Sequence, residues 1–90
     1  MVTILFPLIL SNVTKEKKTT IKTTNFDDLF SKLFTKYGEP LKKMIFNESM
    51  GINRFINIYL NGIIISSENI STIKLGDKDV VAFLIIITGG

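Results

Sequence analysis

The groups best placed to do chemistry in this chain are its last residues, Thr88-Gly89-Gly90, which directly follow the most apolar run of the sequence. A glycine has no Cβ, reaches backbone conformations closed to other residues and passes through a channel too narrow for side chains. Two of them before a free carboxylate make an arm that another protein's active site can accept. On this reading the Gly90 carboxylate is the working group, Gly89 is the slender part of the tail, and Ile87 and Thr88 are candidates to face a partner. Small residues also collect at frayed termini for no chemical reason. The dipeptide therefore takes its meaning from what precedes it.

The absent residue types narrow the chemistry. The chain has no Cys and no His, which removes the thiolate nucleophile, the commonest general base and the commonest transition-metal ligand. No pairing of Asp, Glu, Lys, Ser or Tyr stands out as a catalytic constellation. The expectation is a protein that is not an enzyme, has no catalytic or metal site, binds no cofactor, and takes part in chemistry that another protein catalyses. The net charge of +3 comes from one arginine, Arg54, and from lysines spread along the chain, concentrated only at Lys15, Lys17 and Lys18. Without interleaved aromatic residues these three read as a solvated loop, and nucleic acid is not an expected partner. The longest apolar run, 80–87, falls far short of the ~20 residues a helix needs to cross a bilayer. The apolar first ten residues have neither a basic flank nor a small-residue cleavage site. A cytoplasmic address with no membrane partner follows as the expectation.

With 90 residues, 46% of them hydrophobic and 21% charged, the chain has room for one folded domain, 1–90, ending in a flexible tail at 88–90. Val2, Ile4 and Phe6 alternate as in a short strand that Pro7 ends, because proline cannot donate to a ladder. A polar, lysine-rich turn over 11–18 leads to a return strand through Thr19, Ile21 and Thr23. Phe26, Leu29, Phe30, Leu33, Phe34 and Tyr37 then fall at i, i+3, i+4, i+7, i+8 and i+11, a continuous apolar face on a helix. Asn25 is suited to cap it, Asp28 to act as its capping-box partner, Gly38 to stop it, and Pro40 follows just beyond. Residues 42–53 stay ambiguous between a helical turn and a loop.

Downstream, 55–60 alternates with Ile56, Ile58 and Leu60 on one face. Asn61-Gly62 is the strongest short hairpin signal, and 63–65 pairs back. After an irregular stretch and a turn at 75–79, the run 80–87 reads as a central strand covered on at least most of one face, with cover on both as the alternative. Hairpin, helix, hairpin, strand is an α+β order, a mixed sheet with one main helix across it.

That order, together with Arg54-Phe55-Ile56-Asn57-Ile58-Tyr59-Leu60-Asn61-Gly62, Leu75, Asp79-Val80-Val81 and the terminal Gly89-Gly90, resembles the ubiquitin-like β-grasp proteins. Within them it is similar to the MoaD/ThiS-type sulfur carriers, represented by the molybdopterin synthase small subunit and the archaeal small ubiquitin-like modifiers. Phe6-Pro7-Leu8 looks like the family's first-strand exit. Three features depart from the pattern: Lys78 stands where a glycine is usual, with Gly76 nearby to take over the turn; Ile9 stands where an arginine is frequent; and Ile85-Ile86 replaces a proline-containing stretch.

The resemblance implies that a ubiquitin-activating-type adenylyltransferase uses ATP to adenylate the Gly90 carboxylate. Sulfur transfer then yields a thiocarboxylate for molybdopterin biosynthesis or a related thiolation such as that of tRNA. The molybdopterin synthase large subunit is then a downstream partner, and the chain a non-catalytic subunit of that enzyme. Two alternatives use the same domain. A protein modifier would join Gly90 to lysines of target proteins, and a non-catalytic adaptor would bind through its sheet without using the tail.

Overall fold

The computed structural model describes residues 1–47 and 51–86; Ile87, Thr88, Gly89 and Gly90 lie outside the described residues. Strand β1 (Val2–Leu5) turns Val2 and Ile4 into the core. Pro7 then caps a seven-residue helix, α1 (Leu8–Thr14), where the sequence suggested only a turn. Lys15, the residue that caps its C-terminus, adopts a left-handed conformation, and β2 (Lys18–Ile21) returns with Thr19 and Ile21 inward.

Helix α2 (Phe26–Tyr37) matches the apolar spacing: Phe26, Leu29, Phe30 and Leu33 are buried, while Phe34 and Tyr37 are half-buried against the same cluster. Each such buried side chain contributes roughly 1.5–3 kcal/mol of transfer free energy. The Asn25 side chain accepts the Asp28 N–H at 2.8 Å, as a cap should. The Asp28 carboxylate does not close the capping box, because it instead accepts from the Thr23 hydroxyl at 2.7 Å and pairs with Lys32 at 3.0 Å. These contacts, the hydroxyl first and the ammonium next, hold the Asp28 pKa below its ordinary value. Gly38, at φ 83°, ends α2 and also leads into α3 (Glu39–Ile45), with Pro40 in its first turn. Proline is tolerated there because its missing N–H would have had no intrahelical partner.

Strands β3 (Ile56–Leu60) and β4 (Ile63–Ile65) form the expected hairpin, with Asn61 and Gly62 at φ 52° and 84°. That is the pair of positive angles a two-residue hairpin turn demands. A short 3-10 turn (Ile70–Thr72) precedes β5 (Val80–Ile85). The five strands lie in the order β2-β1-β5-β3-β4, with β1 parallel to β5 and the other pairs antiparallel. The helix α2 covers one face, where Phe30 meets Phe83 at a ring separation of 6.3 Å. On β5, Val81 and Phe83 are fully buried and Leu84 is 47% exposed, so one face of this central strand is covered and the other is open.

Candidate functional site

The described part of the site is the strand that leads to the tail, and its two ends are built differently. At its start, Asp79 and Asn61 form a polar lock. One Asp79 carboxylate oxygen accepts the Gly76 N–H at 2.8 Å, and the other accepts the Asn61 amide at 3.0 Å. The Asn61 side-chain oxygen accepts the Val80 N–H at 2.8 Å, and the Asn61 N–H returns to the Val80 carbonyl at 2.8 Å. The Thr3 N–H reaches the Asp79 carbonyl at 2.9 Å, tying β1 to the same point. The backbone N–H of Gly76, followed by the Asn61 amide, favours the charged carboxylate and lowers the Asp79 pKa.

The left-handed residue of this turn is Lys78 itself, at φ 75°. The Gly76 expected to replace a family glycine instead supplies an N–H to Asp79. Leu75, another residue of the recognisable motif, is buried and donates its N–H to the Thr24 carbonyl at 2.8 Å. Asn61, Leu75 and Asp79 thus set the start and register of β5.

Roughly 17 Å away, at ~3.3 Å per residue, the strand ends without such a lock. Ile85 pairs with Ile56, and the Ile86 N–H donates to the Phe55 carbonyl at 2.8 Å, the last described contact before the tail. Because β1 runs parallel to β5, its exit and the start of α1 lie at this same end. The antiparallel β3 brings Phe55 there from the other side. Ile9, Met44, Phe55, Ile56, Ile85 and Ile86 line a groove of about 520 Å³ there. Sequence spacing does not show this grouping, since Ile9, Met44 and Phe55 come from α1, α3 and the approach to β3; Ile9 and Phe55 are exposed and Met44 is half-buried against the core.

The paired strand therefore fixes the chain as far as Ile86; Ile87 and Thr88, expected to face a partner, and Gly89 and Gly90, expected to form the working tail, lie outside the described residues. Among the described residues, no cluster of three or more carboxylate, imidazole or thiol groups is arranged to hold a metal ion. Also among them, no helix is long and apolar enough to cross a membrane.

A mixed sheet in this order with a helix laid across one face is the ubiquitin-like β-grasp fold. A family model described as "ThiS family" matches residues 5–90, and the chain belongs to this family of ubiquitin-like sulfur carriers. Among solved structures, CysO of Mycobacterium tuberculosis is similar at 25% identity and a TM-score of 0.82, over 97% of this chain and 100% of that one. The small archaeal modifier protein 1 of Methanosarcina acetivorans is similar at 27% identity and a TM-score of 0.78, over 99% of this chain and 95% of that one. A chain from the Amycolatopsis orientalis BexX/CysO complex shares the fold at 23% identity and a TM-score of 0.81, with full coverage of both chains. No curated protein matches the sequence.

Proposed function

We propose that the chain delivers sulfur through the Gly90 carboxylate. A ubiquitin-activating-type adenylyltransferase joins that carboxylate to the α-phosphate of ATP, with release of pyrophosphate. A carboxylate is a poor electrophile, whereas the acyl adenylate has AMP as a leaving group. Sulfur transfer displaces AMP and leaves a thiocarboxylate, which supplies molybdopterin biosynthesis, as partner of that synthase's large subunit, or another thiolation. ATP belongs to the activating partner; this chain contributes a handle and an arm, with the cytoplasm as the proposed compartment. The observation that carries the reading is the family match, which extends through Gly89 and Gly90.

A second reading is favoured by the similarity to the small archaeal modifier protein 1. In it a target lysine amine, rather than sulfur, displaces AMP and forms an isopeptide bond with Gly90. Both readings require the same activation. Deleting Gly90, or adding one residue after it, should abolish ATP–pyrophosphate exchange with the activating enzyme while the melting temperature stays unchanged. Gly89→Val should impair exchange through its branched side chain. Undiminished exchange by the shortened chain would refute both readings and leave the adaptor.

A further inference from the structure

The sheet has two outer edges, β2 and β4, and they are guarded differently. An edge strand carries unpaired N–H and C=O groups that another strand can join, and lysines on such a strand discourage that pairing. The β2 edge has them: Lys18 lies in the strand, and Lys17 and Lys22 flank it. The β4 edge consists of Ile63, Ile64 and Ile65, with no charge and no proline. Ile63 is 72% exposed and Ile64 55%. The two-residue Asn61-Gly62 turn makes Leu60 and Ile63 a hydrogen-bonded pair and Ile58 and Ile65 the next one, so the Ile64 N–H and C=O point away from β3. The strand is also short, stopping at Ile65 opposite Ile58, whereas β3 begins earlier, at Ile56. Beside this unmatched start of β3 lies a notch of about 530 Å³, with Ile56, Ile65 and Ile70 in its apolar wall and Arg54 also lining it.

Charge identifies the occupant. Arg54 is the chain's only arginine, is exposed, and forms no ion pair among the described residues. No acidic residue lines the notch. A guanidinium presents a fork of N–H donors that fits a carboxylate. We propose that the β4 edge binds an extended, acidic peptide segment of another protein. Its backbone pairs with the Ile64 N–H and C=O, an apolar side chain fills the notch against Ile56 and Ile70, and a neighbouring Asp or Glu meets Arg54. Strand addition of this kind draws affinity from main-chain hydrogen bonds and specificity from the pockets beside them. A second copy fits less well, because its own β4 would bring isoleucines to the edge and no carboxylate. Strand β3 separates this edge from β5, so the proposal goes beyond the sulfur-delivery reading and does not depend on it. A protein held at β4 leaves the chain end free to react.

The test is a titration of the isotope-labelled full chain, followed by NMR chemical shifts, with a blocked synthetic peptide, acetyl-Thr-Val-Ile-Asp-Val-Thr-amide, and with its twin carrying Asn in place of Asp. Saturable shifts should appear at Ile63, Ile64, Ile65 and the Arg54 side chain, with β2 unmoved. The Asn twin should bind about twofold to fivefold more weakly, the range of an exposed charge pair, and salt should narrow the difference. Arg54→Gln should erase the difference between the two peptides. Its melting temperature should match that of the intact chain, because Arg54 has no ion-pair partner within the described fold. Ile64→Lys should abolish binding by guarding the edge, and the Arg54→Gln comparison decides the matter if that variant folds poorly. Absence of saturable shifts at β4, or equal affinity of the intact chain for the two peptides, would overturn the proposal. Shifts at Ile64 that grow with protein concentration in the absence of peptide would overturn it in favour of a second copy at this edge.

Discussion

The two ends of β5 solve opposite problems on one strand. At Asp79 the backbone is fixed by side-chain and main-chain hydrogen bonds to Gly76, Asn61 and Thr3. At Ile86 a single described backbone bond to Phe55 remains, and the surrounding surface is apolar and exposed. Hydrogen bonds to a charged carboxylate are directional and fix register. Apolar contacts are non-directional and suit association with another surface. Most of the motif that makes the chain recognisable thus serves to place the strand, while the end that serves the proposed function is marked by its terminal glycines.

If the ends are separable in this way, perturbing the strand should change stability without changing activation of the folded protein. Phe83, fully buried at mid-strand against Phe6 and Phe30, gives the largest expected effect. Phe83→Ala should lower the unfolding free energy by about 3–5 kcal/mol in urea titration. At temperatures where the variant stays folded, its exchange kinetics should remain within about twofold of the intact chain. A large change in KM at that point would show that the ends are coupled.

A smaller effect is expected at the polar lock. The Asp79 pKa lies below its ordinary value of 3.8 in the folded chain. The stability this supplies is therefore fully present above the unfolded value and lost as pH falls through it towards the lowered folded value. Asp79→Asn removes the carboxylate acceptor for Gly76, so the variant should be less stable at neutral pH. Its stability should also fall less steeply between about pH 5 and 3. Asp28 and Asp77, also held below their ordinary values, keep that slope from vanishing. An unaltered acid profile would remove Asp79 from the account of the strand's start.

The parts legible in the sequence are those whose local and tertiary demands agree. The α2 stripe, the Asn61-Gly62 turn and the apolar β5 each announce one structure by period or by backbone requirement. Helix α1 was hidden because seven residues are too few to hold a helix by propensity. Leu8 and Ile9 are exposed, and only Leu10 and Thr14 bury on it, so no stripe marks it. Helix α3 was obscured by Pro40, which reads as a stop yet fits a first turn. Gly89 and Gly90 are visible as a motif, whereas the groove at the end of β5 exists only once the parallel β1–β5 pairing brings α1, and the antiparallel β3–β5 pairing brings Phe55, to the same end.

The most direct test of the central claim, that this family member works through Gly90, is the intact mass of the protein isolated from its native cells, with fragmentation to locate any change. A fraction in which one oxygen of the Gly90 carboxylate is exchanged for sulfur is expected, with loss of that species when the activating enzyme is removed. A chain found only with an unmodified carboxylate, in cells actively making sulfur-containing cofactors and thiolated tRNA, would contradict it.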